Sequence, residues 1–269
     1  MKKIAFIGAG AMAEAVVAGL VNTKFIEKQQ IYVSNKENKE RLKELHEKYG
    51  VTGILDKTEV LKDADVIFLA TKPYDMENAI TEIKELIQEN QIVISVVAGL
   101  TTSFIEDIIG KSVPVIRSMP NTSATIGLSA TAITKGTYAT DDHVEIAKQI
   151  FQSVGTVSVV AEDDMHMVTA LSGSGPAYVY YLVEAMEAVA KEVGFDGKVA
   201  KDLITQTIIG AGNMLQQSTE PASVLRENVT SPNGTTAAGL QALSEHDFQT
   251  AVKACVKSAA VRSRELSGE

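Results

Sequence analysis

Residues 4–20, IAFIGAGAMAEAVVAGL, leave few folds open to this chain. Ile4–Ile7 is a short apolar run of the kind that forms a buried strand. Gly8-Ala9-Gly10-Ala11-Met12-Ala13 follows without a linker, and an alanine-rich helical pattern continues through Leu20. A strand that feeds a helix through so tight a turn needs backbone freedom, which Gly8 provides. Gly10 has no Cβ, so an anion can approach the backbone there. The N–H groups that open the helix would face that anion, and the helix dipole favours its negative charge. With Ala13 in the third small-residue slot, the stretch reads as the fingerprint of a dinucleotide site. Ile7, Gly8, Ala9, Gly10, Ala11 and Met12 are its first candidate cofactor residues.

Two plainer readings compete with it. Lys2 and Lys3 ahead of an apolar run resemble a secretory leader, but Glu14 interrupts the run and the chain has one cysteine. The other is a glycine-rich turn with no ligand. The rest of the first half weighs against a leader, because its removal would delete the first strand of a sheet. Ile31–Val33, Val66–Ala70, Ile92–Val97 and Val113–Arg117 read as further strands. Between them lie helical stretches such as 37–48, with Leu42 and Leu45 inward, and 76–87, with Ile80, Ile83, Leu86 and Ile87 on one face. This alternation predicts a mostly parallel, doubly wound sheet with helices on both faces. Leu128–Thr134 alternates, 141–154 is helical, and Thr156–Val160 reads as a last strand. The acidic cluster Glu162-Asp163-Asp164 interrupts the pattern and places the domain boundary, giving domains at 1–161 and 162–269.

Ligands in open α/β sheets bind beyond the carboxyl ends of the strands. The second strand ends at Ser34-Asn35-Lys36, where an NAD enzyme usually carries an acid about 20 residues past the glycines. No carboxylate stands there to repel a 2′-phosphate, and these three residues can bond or pair with one. The reading is NADP(H) in preference to NAD(H), with a polar turn followed by Glu37 as the alternative. Ala70-Thr71-Lys72-Pro73 lines the same crevice, with Lys72 either at a ribose or phosphate or merely solvated. Ala98 and Gly99 leave room for a nicotinamide ring. Asn121, in RSMPNT, either orients the nicotinamide or substrate or belongs to a Pro-Asn turn.

From Asp163 on, strand signals vanish. Ser174-Gly175-Pro176 looks like a helix start. The stripe Val179, Leu182, Val183, Met186, Ala190 and Val193 follows, closed by Gly194. Residues 199–215 and 248–266 carry stripes of their own, and Cys255 sits on the last as a packing residue. Stripes this long on a small helical domain call for a second chain, so a homodimer is expected. One loop carries chemistry: VTSPNGTTAAGL, residues 229–240. Ser231 suits an N-cap and Pro232 the first helical position, while Gly234 stands where a capping box would have Glu or Gln. The first-turn amides then stay open, and with flanking hydroxyls they form a seat for a small carboxylate. An ordinary hydroxyl-rich helix start is the alternative.

The chain carries 25 basic and 34 acidic residues for a net charge of −9, which argues against a nucleic-acid surface. No apolar run reaches the roughly 20 residues of a membrane span. A single cysteine fits a reducing cytoplasm. His46, His143, His166 and His246 are scattered and read as surface or structural, with no metal cluster.

Taken in order, FIGAGAMA, ATKP, VVAGLT, RSMPNT, LSGSGPAY and VTSPNGTTAAGL make the chain resemble the pyrroline-5-carboxylate reductases, which form proline in the last step of its synthesis. The family often has Gly at Asn233 and Val at Thr71, positions that do not obviously need their side chains. The resemblance implies an N-terminal Rossmann-type domain, an all-α C-terminal dimerisation domain, and often a decamer of dimers. It implies NADP(H) contacts at the first turn, Ser34, Lys36, the Ala70–Pro73 turn and near Ala98. It implies that Ser231, Gly234, Thr235 and Thr236 hold pyrroline-5-carboxylate, with Thr236 closest to the chemistry at the ring nitrogen. Reduction of a protonated cyclic imine needs alignment and one proton, not a metal or covalent nucleophile. A β-hydroxyacid dehydrogenase shares the two-part plan, but its chemistry commonly uses a lysine on the first long helix of the second domain, and 176–190 contains none. A non-catalytic NADP sensor would keep the first half without needing the Ser231 loop.

Overall fold

A computed structural model describes residues 1–267. Strand β1 (Ile4–Ile7) leads through the glycine turn into helix α1 (Ala11–Asn22). Then come β2 (Ile31–Ser34), α2 (Lys39–Tyr49), a two-residue β3 (Thr52–Gly53), α3 (Lys57–Leu61) and β4 (Val66–Leu69). The alternation continues through α4 (Met76–Ile83), β5 (Ile92–Ser95), α5 (Thr102–Ile109) and β6 (Val115–Met119). The eight-stranded sheet has the order β3-β2-β1-β4-β5-β6-β7-β8. Strands β1 to β6 are parallel, while β7 (Ser129–Lys135) runs antiparallel to β6 and pairs in parallel with β8 (Gly155–Val159) across the intervening α6 (Asp141–Gln152).

The period of two along each strand builds two core layers. Ile4 and Phe6 of β1 face one side with Phe68 of β4, Val16 and Leu20 of α1, and Phe151 of α6. Ala5 and Ile7 face the other with Ile67 and Leu69, Ile80 and Ile83 of α4, and Ile105 and Ile109 of α5. Phe6 and Phe68, register partners, stack with centroids 4.6 Å apart, and Phe151 meets Phe68 edge-on at 5.9 Å. The expected α/β sheet is therefore present. Three details differ from the sequence reading. The β6 strand begins two residues later than expected and runs on to Met119, because the first paired residue lies beyond Pro114, which has no N–H to give to the ladder. Helix α4 ends at Ile83, short of Leu86 and Ile87 in its apolar pattern, and α2 starts two residues later than read and ends one later. Strand β3, only two residues long, and the five-residue helix α3 went unread, as did α5, although its inward Ile105 and Ile109, its Thr101 cap and its Gly110 stop mark it.

By compactness the chain forms two units, Met1–Pro176 with the chain from Ser258 on, and Ala177–Lys257. The boundary expected at residue 161 thus falls inside the first unit, because the chain stays on the sheet beyond β8. Arg117, 2% exposed, donates from Nη1 to Glu162 Oε1 at 2.6 Å, and Thr102 Oγ1 donates to Glu162 Oε2 at 3.0 Å. In α7 (Met165–Val168), Met165 and His166 are buried, and His166 Nδ1 lies 3.0 Å from Ser263 Oγ.

Helix α8 (Gly175–Glu192) begins where Ser174-Gly175-Pro176 pointed, with Pro176 in its first turn, but the chain is already helical before it. The helical stretch begins with α7 and widens through a π-helical turn at Thr169–Gly173 before α8. Pro176 is the physical reason: it has no N–H for the Ser172 carbonyl four residues back, and its ring crowds that carbonyl.

The second unit holds the rest of α8, α9 (Gly197–Gln217), the unread α10 (Ala222–Asn228), α11 (Thr235–Glu245) and the first half of α12 (Phe248–Ser267). Its apolar stripes lie open in the single chain: Tyr181 is 77% and Leu203 58% exposed. Cys255, expected to pack, is exposed for the same reason, since its stripe finds no cover within one chain.

Removing the carboxylate in Glu162→Ala leaves the Arg117 guanidinium buried without its partner and should cost about 2–3 kcal/mol. A lowered urea midpoint with an unchanged slope is the expected reading, and an unchanged midpoint would show the pair to be idle.

Candidate active site

The glycine turn is shaped by what it must avoid. Gly8 has φ +114°, and a Cβ there would lie 2.3 Å from the Ala70 carbonyl oxygen. The turn is thus pressed against the end of β4, where Ala70 N donates to Ile7 O and Gly8 N to Ser34 O. Gly10 is the N-cap of α1 and makes no side-chain cap bond, and a Cβ built on it would meet nothing within 4 Å. Helix α1 therefore opens on free amides over empty space, a cradle that suits a pyrophosphate.

That space is a groove of about 410 Å³. It is lined by Ile7, Gly8, Ala9, Gly10, Ala11 and Met12 of the turn, Asn35 and Lys36 after β2, and Ala70, Thr71 and Lys72 after β4. These are the strand ends to which the sequence pointed. Not among the lining residues are Ser34, Pro73, Ala98, Gly99 and Asn121. Ser34 is fully buried and its hydroxyl donates to the Leu55 carbonyl at 3.3 Å. Pro73 starts the short 3-10 turn Pro73–Asp75. Gly99 lies beneath α12, where an added Cβ would sit 3.5 Å from Leu266 Cβ. Asn121 is occupied on both sides of its amide: Oδ1 accepts from Ser123 N at 3.1 Å, and Nδ2 donates to Ser172 O at 3.2 Å. It thus serves the carbonyl to which Pro176 can give nothing.

The sequence reading missed Lys57, Asp75, Asn78, Ala79 and Glu82, which also line the groove. Part of a signal was present: 78, 79 and 82, after the cap Asp75, have helical spacing and flank the buried face of α4 formed by Met76, Ile80 and Ile83, which marks a second face of the helix but not what it meets. The unexpected support of the turn is Arg41. Its Nε donates to Ala9 O at 2.9 Å, and its guanidinium pairs with Glu14. Lys48 Nζ and Tyr49 Oη reach the same carboxylate, each at 2.8 Å. The Arg41 bond first, then Lys48, holds the Glu14 carboxyl down to about 2 from an ordinary 4.5.

The second surface is the start of α11. The expected caps move by one turn: Gly234, not Ser231, is the N-cap, and Thr235, not Pro232, is the first helical residue. Gly234 N donates to Ser231 O at 3.0 Å, closing a turn that Asn233 completes at φ +62°. Only Gly and the short polar residues take that conformation readily, which explains why Asn stands here. No side chain caps α11, so its first amides are open beside the exposed Ser231, Thr235 and Thr236. Among the described residues no group of His, Cys, Asp and Glu is placed to hold a metal ion. His46 bonds the Val51 carbonyl and His143 caps α6. No described helix is long and apolar enough to cross a membrane.

The family model described as "Pyrroline-5-carboxylate reductase dimerisation" matches residues 162–266, and "NADP oxidoreductase coenzyme F420-dependent" matches residues 3–99. Pyrroline-5-carboxylate reductase 1 of Bacillus subtilis is 47% identical over 266 residues, covering 99% of this chain and 90% of the relative. The chain belongs to the pyrroline-5-carboxylate reductase family. Its relative from Staphylococcus saprophyticus is 39% identical, covering 99% and 98% of the two chains. The structure of a Coxiella burnetii pyrroline-5-carboxylate reductase matches with TM-score 0.92 and 34% identity over 99% and 98%. A Plasmodium falciparum pyrroline carboxylate reductase structure with NADP bound matches with TM-score 0.89 and 28% identity over 98% of each chain. Family membership makes the chain an NAD(P)-dependent oxidoreductase and its helical half an oligomerisation domain.

Because the Glu14 carboxyl is lowered on folding, its stabilising contribution is complete above pH 4.5 and lost as pH falls towards about 2. Glu14→Gln should flatten the fall of melting temperature across that window and cost about 1–2 kcal/mol at neutral pH. Parallel pH curves for variant and wild type would remove Glu14 from this role. Asn121→Ala should cost about 1–2 kcal/mol by unpairing two half-buried backbone groups, Ser123 N–H and the Ser172 carbonyl, read as a lowered urea midpoint.

Proposed function

We propose that the protein reduces 1-pyrroline-5-carboxylate to L-proline, with NADPH preferred over NADH. The observation that carries the substrate reading is the uncapped start of α11. Its open amides and the hydroxyls of Ser231, Thr235 and Thr236 have the chemistry that holds a small carboxylate, and Gly234 leaves the approach clear. The cofactor preference rests on the end of β2, where Asn35 and Lys36 line the groove and no carboxylate from that strand repels a 2′-phosphate.

The bound nicotinamide supplies the hydride for the C=N carbon. The chain's own work is to bind and orient. The amino ends of α1 and α11 neutralise a pyrophosphate and a carboxylate by the same device, free N–H groups at the positive end of a helix dipole. In this reading Thr236 is the partner of the ring nitrogen. A threonine hydroxyl is a poor acid, so it orients the imine or passes on a proton from water. Positioning then supplies much of the rate, and no metal or covalent nucleophile is called for.

The same reading makes the protein a cytoplasmic homodimer whose dimers assemble further into a decamer. Its support is the uncovered apolar stripes of the second unit together with family membership.

Purified protein should oxidise NADPH only when pyrroline-5-carboxylate is present, and should do so with higher kcat/KM than with NADH. Thr236→Ala should lower kcat by about tenfold or more. Unchanged kcat and KM would take Thr236 out of the site. A monomer by sedimentation at micromolar concentration would overturn the dimer.

A further inference from the structure

One end of the nucleotide groove contains more charge than the reading above uses. Lys57 opens α3, directly after its cap Asp56, whose carboxylate is occupied by Thr58 N at 2.9 Å. The Lys57 ammonium crosses to α4 and pairs with Glu82. Both residues line the groove together with Lys36. The Glu82 carboxyl lies below the usual range, first because of the Lys57 bond and in smaller part because of Lys36, so both cations act on one carboxylate.

This is where β2 ends, the place at which the fold reads the adenosine ribose. Dinucleotide sites that take a free ribose put a carboxylate on that strand end. Here β2 ends without one, and Glu82 brings a carboxylate to the same groove from α4 instead. It competes with any ligand for the Lys57 ammonium. A ribose hydroxyl is too weak a partner to break the pair. A phosphate dianion carries about twice the charge of a carboxylate and can displace it.

Resting on the NADP(H) reading above, we propose that the Lys57–Glu82 pair sets the discrimination between a 2′-phosphorylated and a free ribose. Lys57 leaves Glu82 for the 2′-phosphate, and Glu82, competing for the same ammonium, limits the preference for the phosphorylated cofactor.

The test is calorimetric binding of 2′,5′-ADP and of 5′-ADP to the full chain, with no turnover involved. Glu82→Gln should tighten 2′,5′-ADP by about three- to fivefold, the effect of removing one half-exposed competing charge. Lys57→Met should weaken it about tenfold by removing a charged donor. The 5′-ADP affinity should move less than about twofold in both, and the differences should shrink at high salt. The inference is overturned if either variant leaves the ratio of the two affinities unmoved, or if both ligands change in parallel. Wild-type protein that binds both nucleotides, with a ratio unmoved in the variants, sinks the pair alone. Wild-type protein that binds neither sinks the nucleotide reading and the pair with it.

Discussion

The first unit depends on a space of one methyl group. A Cβ at residue 8 would lie 2.3 Å from the Ala70 carbonyl oxygen, so β1 can turn into α1 against the end of β4 only with glycine there. That contact places the free amides of α1 beside the ends of β2 and β4, and a groove follows from it. The central strands make the arrangement stiff. Phe6 and Phe68 stack across adjacent strands, and Phe151 closes the layer from α6, so the turn stands on a packed aromatic base.

Around that base the polar groups form a consistent account. A buried donor or acceptor left alone costs more than a made bond gains. Arg41 ties the Ala9 carbonyl to α2, and Glu14 pairs with both Arg41 and Lys48, a trio of net positive charge near the end of α1 that has to welcome an anion. Asn121 gives an N–H to the Ser172 carbonyl that Pro176 cannot serve. Two motifs far apart in the chain, RSMPNT and LSGSGPAY, are thus joined by one amide. Arg117, Glu162 and Thr102 form a third such link and keep the chain on the sheet past β8.

The helical unit follows the opposite economy. Its helices leave side chains such as Tyr181, Leu203 and Leu215 in the open, so a single chain does not complete its burial. A dimerisation domain has that property because the missing half of its core belongs to another copy. The start of α11 is carried on this unit, and its local design needs only the chain itself: a turn closed from Gly234 to Ser231, Asn233 in the left-handed region, and amides without a cap.

Periodicity was enough to read the doubly wound sheet, the glycine turn and the helical second half, because those features are local: apolar spacing of two or of 3.6, and small residues where the backbone must bend. The strand ends that line the groove were legible for the same reason, since a strand's carboxyl end is a sequence position. What lies opposite them was not. Lys57 and Glu82 reach the groove from helices whose placement depends on the whole sheet, and the pairing of Asn121 with Ser172 or of Arg117 with Glu162 spans tens of residues. The cap of α11 moved from Ser231 to Gly234 because the turn bond to Ser231 took precedence over a side-chain cap. Short-range order is written in the spacing of residues, whereas the partner of a buried polar group is chosen by whatever the packed chain brings within about 3 Å of it.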